Sequence, residues 1–238
     1  MKLLNLALLS LSILTITSCP AQRDDGAFML WDQLLSKYVD NDGVVQYAKI
    51  KADPSFERCI STFSAMKVSP EWKPEMELCY WINVYNAFTI KLICDHYPLK
   101  SITDIKDPWK QKFITLNGEK FSLDQIENEI LRPKFKDPRV HFAINCASIS
   151  CPKLNNRAFF PESLNKMLDK LAKGFVNDPT RNVLAKDKIQ ISKIFEWFSD
   201  DFSARGGLTG YINRFANEQV DPEATIEFLD YNWNLNGK

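Results

Sequence analysis

The sequence predicts an α+β fold: a helical N-terminal half with a long central helix, then a small antiparallel sheet with hairpins, in a single compact domain. Three observations predict it. Apolar residues recur at helical spacing through most of the first half, and the longest such run ends at Pro98. Two pairs of short runs in the second half flank turn residues, the pattern of hairpins. Hydrophobic residues make up 45% of the chain and aromatic residues 12%, enough to pack a core and too many for a disordered segment.

In chain order, Phe28 to Val39 has helical spacing and opens the domain, and Asp40-Asn41-Asp42-Gly43 is a turn. Val44 to Ile50 reads as a short strand, Pro54 to Met66 as a helix, Pro70 to Pro74 as a break, and Glu75 to Tyr97 as the long central helix. Trp109 to Leu116 and Glu119 to Phe121 flank Asn117-Gly118, the dipeptide that suits a type I′ hairpin turn. Ser122 then caps a helix running to about Leu131, with Gln125 completing a capping box. Val140 to Ile144 reads as an apolar strand. Pro161 to Phe175 is amphipathic and helical. Val183 to Ala185 and Ile189 to Ser192 suggest a second hairpin around Lys186-Asp187-Lys188. Ile194 to Phe202 and Leu208 to Asn217 read as helices, and Ile226 to Leu235 as a closing strand.

Residues 1–18 are expected to be removed before folding. Lys2 gives a positive start, and Leu3 to Thr17 is an apolar run shorter than the ~20 residues of a membrane span, as in a signal-peptide core. Ile16-Thr17-Ser18-Cys19 resembles a bacterial lipobox, which implies a signal peptide over 1–18 and an acylated Cys19 as the new first residue. An ordinary secretory signal cleaved near Ala21 is the alternative. Residues 19–26 then form a lipid-bearing tether and 27–238 the domain. The expected location is the cell envelope, lipid-anchored and facing the periplasm of a Gram-negative bacterium. The expected partners are the membrane, through that lipid, and a peptide-like or small-molecule ligand.

Loss of residues 1–18 removes one base, Lys2, and leaves 29 basic against 30 acidic residues. That near-neutral balance excludes an electrostatic nucleic-acid binder, which carries a basic excess on one face. No motif calls for a cofactor.

Five cysteines follow Cys19. Cys59, Cys79 and Cys94 sit in apolar helical stretches and read as small buried hydrophobes. Cys146 and Cys151 lie in a polar loop closed by Pro152, shortly after His141, one of two histidines in the chain. A strand turning into a Ser/Cys loop presents a thiol at a sheet edge. The first reading pairs Cys146 or Cys151 as nucleophile with His141 as base, since a thiol becomes strongly nucleophilic only as the thiolate. Asn83, Asn86, Asp137 or Asp201 would orient the imidazole. The backbone of the Ser148 loop would hold an oxyanion. A second reading is a structural Cys146–Cys151 disulfide, which an oxidising compartment favours. A redox-active pair is a third, although the spacing is not Cys-x-x-Cys. A metal held by His141, Cys146 and Cys151 lacks a fourth ligand and any standard zinc spacing.

Candidate substrate-binding residues surround this segment. Asn83 and Asn86 share a helix face three residues apart, and Trp81 and Tyr85 line a neighbouring one. Ser148 lies in the loop itself. Arg139 would anchor an anion, and Trp197 and Asp201 belong to an aromatic and acidic segment. Each also has a plain structural use, as core aromatic, loop-bonding amide or solvated ion pair.

These residues form blocks. Tyr80-Trp81-Ile82-Asn83-Val84-Tyr85-Asn86-Ala87, Ser122 to Glu127 with Leu131-Arg132, Asp137 to Pro152, Ser192 to Phe202 and Tyr231 to Asn236 stand in the order seen in the domain of unknown function 547 family, which the chain resembles from about residue 75 to its end. Asn232 departs from the pattern, where an acid is usual. The resemblance implies no established activity, substrate or cofactor. The residues therefore point to an envelope lipoprotein with a thiol-dependent hydrolase or acyltransferase centre acting on an amide or ester. The alternatives are a non-catalytic binding or scaffold module, or a thiol–disulfide redox protein.

Overall fold

The computed structural model describes residues 26–203 and 206–238. The signal-peptide and lipidation expectations for residues 1–18 and Cys19 lie outside them. Among the described residues, no helix is long and apolar enough to cross a membrane.

Helix α1 (Gly26–Tyr38) buries Phe28, Trp31, Leu34, Leu35 and Tyr38 along one face. Helices α2 (Tyr47–Ala52) and α3 (Pro54–Ala65) follow. Asp53 caps α3 by accepting from the Ser55 amide, with Pro54 in the first turn, where a missing N–H costs nothing. The central helix α4 (Pro74–His96) is buried on almost every side from Leu78 to Ile90. A helix this apolar all round must lie inside the molecule. The strand expected over Val44 to Ile50 is not formed. Its second half is α2, and Val45 makes only isolated bridges, to Val39 and Gly237.

Strands β1 (Ile114–Leu116) and β2 (Glu119–Phe121) form an antiparallel hairpin. Asn117 and Gly118 both take positive φ, 48° and 86°, as a type I′ turn demands. Ser122 and Gln125 form the reciprocal capping box at the start of α5 (Leu123–Gln125). That helix continues as a π-helical stretch, Ile126–Phe135, which ends at Lys136 in the left-handed region. The apolar run from Val140 is not a strand. Pro138–Phe142 is a 3-10 helix, because Pro138 sits at its first position and Asp137 caps the Arg139 amide.

Helix α6 (Leu164–Val176) leads to β3 (Val183–Leu184) and β4 (Lys188–Ile191), the second hairpin. The segment expected as one helix from Ile194 to Phe202 divides at Phe198 into α7 (Ile194–Trp197) and α8 (Ser199–Phe202). Helix α9 (Gly207–Asn213) precedes β5 (Thr225–Phe228). Strand β5 joins β4 in parallel, making the three-stranded sheet mixed.

Two apolar cores result. The larger gathers α1 to α4, the first hairpin and the start of α6. The smaller gathers the end of α6, β4, α7 to α9 and Phe142. The closing strand ends at Phe228, and the tail beyond it runs across both cores as a strap. Leu235 N–H donates to Lys100, Asn236 N–H to Ala147 and Lys238 N–H to Val45. Gly237 is required there, since a Cβ would lie 2.2 Å from the Val45 oxygen.

Candidate active site

The cysteine loop is held from three directions. Asn86 on α4 donates to the Ala143 carbonyl and accepts from the Asn145 amide. Asn145 in turn donates to the Pro152 carbonyl and accepts from the Ala147 amide, so one side chain ties both ends of the loop. Arg181 donates to the Cys151 and Ile149 carbonyls, and the tail takes the Ile149 amide on Asn234. These bonds hold Ala147 at φ 61°, an uncommon conformation for a residue with a Cβ.

Cys146 and Cys151 are both free thiols, with their sulfurs 2.8 Å apart. Cys146 Sγ also lies 3.1 Å from Ser148 Oγ and 3.2 Å from the Tyr231 hydroxyl. Burial pushes the Cys146 thiol up, but hydrogen bonds from Cys151, Ser148 and Tyr231 outweigh it and bring the thiol down to about 7. Cys151 moves well up, through burial, its hydrogen bond to Cys146 and the charge there. Cys146 is therefore the more acidic thiol of the pair, and Cys151 keeps its proton.

His141 sits beside this pair rather than on it. Its ring stacks on Phe198 with centroids 4.1 Å apart and packs against Phe202. Its Nε2 is 2.7 Å from Asp201 Oδ2, and its Nδ1 is 4.0 Å from Glu127 Oε1. Asp201 Oδ2 also accepts from Arg132 Nε at 2.6 Å. The His141 contact, then Arg132, holds the Asp201 carboxyl well below the usual carboxylate range despite partial burial. Glu127 goes the other way. Burial raises it, against His141 and the Tyr85 hydroxyl, which donates to Oε2 at 3.0 Å. Two carboxyl groups flanking one imidazole are thus driven apart in acidity, as in an acid–base pair.

His141, Glu127, Cys146 and Cys151 line one cavity of about 620 Å³ at the seam between the two cores. Tyr85 and Ile144 also line it, and Trp109, Trp197, Tyr231 and Trp233 pack on one another as an aromatic wall. Trp197 stacks on Trp233 at 5.7 Å and stays 45% exposed. Such concave, largely apolar sites with a few convergent polar groups are where ligands bind.

Of the expected site residues, His141, Cys146, Cys151, Tyr85 and Trp197 line this cavity, and Ser148 and Asp201 contact its lining groups. The others are placed elsewhere. Asn83 is fully buried, with its amide bonded at both ends to the Phe159 backbone. Asn86 is used up in the loop clasp. Trp81 packs on Tyr80 and Phe121 and donates to Glu77. Arg139 is held by Asp137, Asp169 and Asn165. Among the described residues no group of three or more His, Cys, Asp or Glu is arranged to hold a metal ion. Glu127, Tyr231 and Trp233 were not legible as site residues. The spacing of Tyr231 and Trp233, two apart on an extended segment and so on one face, was the available signal.

No curated protein and no solved structure matches the chain. Residues 69–176, which carry α4, the capped π-helical segment, His141 and both loop cysteines, match the family model described as Protein of unknown function, DUF547.

Proposed function

We propose that the cavity is a thiol-dependent hydrolase or acyltransferase site acting on an amide or ester. The observation that carries this reading is the Cys146 thiol. It is brought down to about 7 by hydrogen bonds from Cys151, Ser148 and Tyr231, and it lines the cavity that His141, paired with Asp201, also lines. Cys146 attacks the substrate carbonyl as the thiolate. Once its charge moves to the carbonyl oxygen, the Ser148 and Tyr231 hydroxyls are free to hold that oxyanion. Asp201 accepts from Nε2 of His141, which leaves Nδ1, on the side of Glu127, to take up the proton that Cys146 gives up and return it to the leaving group; water or an acceptor hydroxyl then attacks the thioester, and Cys146 departs as the thiolate.

The test uses p-nitrophenyl acetate with the wild type, Cys146→Ala and His141→Ala. Acetylation should map to Cys146 and disappear in Cys146→Ala, and release of p-nitrophenol should slow in His141→Ala. An acetyl group on another residue, or turnover unchanged in both variants, would sink the reading. A non-catalytic binding module is the second reading, favoured by the exposed Trp197 stacked on Trp233. Lipidation of Cys19 and attachment to the envelope belong to the same proposal. Labelling cells with tritiated palmitate should mark the wild type and not Cys19→Ala.

A further inference from the structure

We propose that Cys146 is a site of reversible oxidation by hydroperoxides, with Cys151 as the resolving thiol that locks the site as a Cys146–Cys151 disulfide. Four observations carry it. The sulfurs are 2.8 Å apart, and a disulfide needs them at about 2.05 Å, so closure brings them about 0.75 Å nearer. Cys146 is half-buried and lines the cavity, which gives a small oxidant its way to that sulfur, while the buried Cys151 lies behind it. The loop between them is pinned by Asn145, Arg181 and the tail, so their approach is built in rather than a matter of chance encounter. Cys59, Cys79 and Cys94 are buried in the larger core and do not line this cavity, which leaves Cys151 as the partner among the described residues.

The chemistry balances with a hydroperoxide as the named oxidant. The Cys146 thiolate attacks one peroxide oxygen. The S–O bond forms, the O–O bond breaks, and the departing oxygen takes a proton and leaves as water or alcohol. Cys151 then attacks the Cys146 sulfenic acid. The S–S bond forms, the S–O bond breaks, and hydroxide leaves with the Cys151 proton as water. The two thiols supply both electrons. Part of what holds the Cys151 proton is the negative charge on Cys146. Conversion to the uncharged sulfenic acid removes that charge, so the first step releases the second thiol for its attack.

This inference goes beyond the acyl-transfer reading, and its test does not depend on turnover. The full chain is reduced, exposed to hydrogen peroxide, blocked with N-ethylmaleimide and mapped by mass. The expected result is a Cys146–Cys151 crosslinked peptide that dithiothreitol reverses, with Cys59, Cys79 and Cys94 unchanged. In Cys151→Ser the same exposure should carry Cys146 on to the sulfinic acid, with no crosslink. In Cys146→Ser, Cys151 should stay reduced. Near-ultraviolet circular dichroism confirms that each variant is folded. A wild type that yields Cys146 sulfinic acid beside a reduced Cys151, or in which neither cysteine reacts, overturns the proposal. Failure of the acetylation test with a crosslink present would reject the hydrolase reading and leave the oxidation standing.

Discussion

Replacing Tyr231 with phenylalanine tests the account of the Cys146 thiol most directly. The hydroxyl is 3.2 Å from Cys146 Sγ and 3.1 Å from Ser148 Oγ, while the ring keeps its packing on Trp197 and Trp233. A hydrogen bond to a charged group is worth about 1.5–3 kcal/mol, and one pKa unit is about 1.4 kcal/mol, so its loss should raise the thiol by about 1–2 units. Ser148 and Cys151 still bond Cys146 in the variant, so part of the lowering remains. The assay is the pH dependence of iodoacetamide labelling at Cys146, followed by mass. The wild type should show a midpoint at about 7 and Tyr231→Phe a midpoint of about 8 to 9. A rate at one pH would mislead. For a shift of 1.5 units the thiolate fraction at pH 7 falls about 16-fold, but the more basic thiolate is about fivefold more nucleophilic, leaving only about a threefold change. A folded Tyr231→Phe whose midpoint stays at about 7 would refute the reasoning.

Three further outcomes follow from the geometry. Glu127 is raised by burial, so the folded state binds its proton more tightly than the unfolded chain does. Its contribution to stability is complete below the ordinary carboxylate range and is lost as pH rises through the raised folded value. Glu127→Gln should therefore melt higher than the wild type at neutral pH, with the difference vanishing in acid, as measured by thermal unfolding across pH. Asn83→Ala strands a buried N–H and C=O of Phe159 and should lower stability by roughly 2–5 kcal/mol in urea unfolding. Gly237→Ala puts a Cβ 2.2 Å from the Val45 oxygen and 2.6 Å from the Tyr47 ring, which forces the tail away. Its Cys146 labelling midpoint should move up toward the ordinary thiol value of 9.0.

What the sequence disclosed depended on how local the determining interaction is. The Asn117-Gly118 turn and the Ser122–Gln125 capping box act within four residues, and both form. The apolar run Val140 to Ile144 fits a strand or a helix equally, and the chain takes a 3-10 helix over Pro138–Phe142. The deciding features, Pro138 at the first position and the Asp137 cap, stand just outside that run. Val44 to Ile50 failed similarly, because Val45 finds its partners at Val39 and in the distant tail rather than in a sheet. At the site, chemistry-bearing types in an odd setting were legible: His141, Cys146, Cys151. Glu127 was not, since a glutamate in a capped helix reads as a surface charge until the fold sets it against His141 and Tyr85. The Asn86 clasp could equally have been a ligand contact in the sequence, and only the positions of Ala143 and Asn145 decide it.

The strap formed by the tail also sets a timetable. Tyr231 lies 85 residues after Cys146, so a ribosome exposes the thiol long before it exposes the hydroxyl that helps to acidify it. Until the tail docks across Lys100, Ala147 and Val45, the nascent thiol lacks that donor. It is then more fully protonated and slow to react with electrophiles. Reactivity is thus coupled to completion of the fold, and a chain stalled or clipped before residue 231 carries a blunted cysteine rather than an unguarded one.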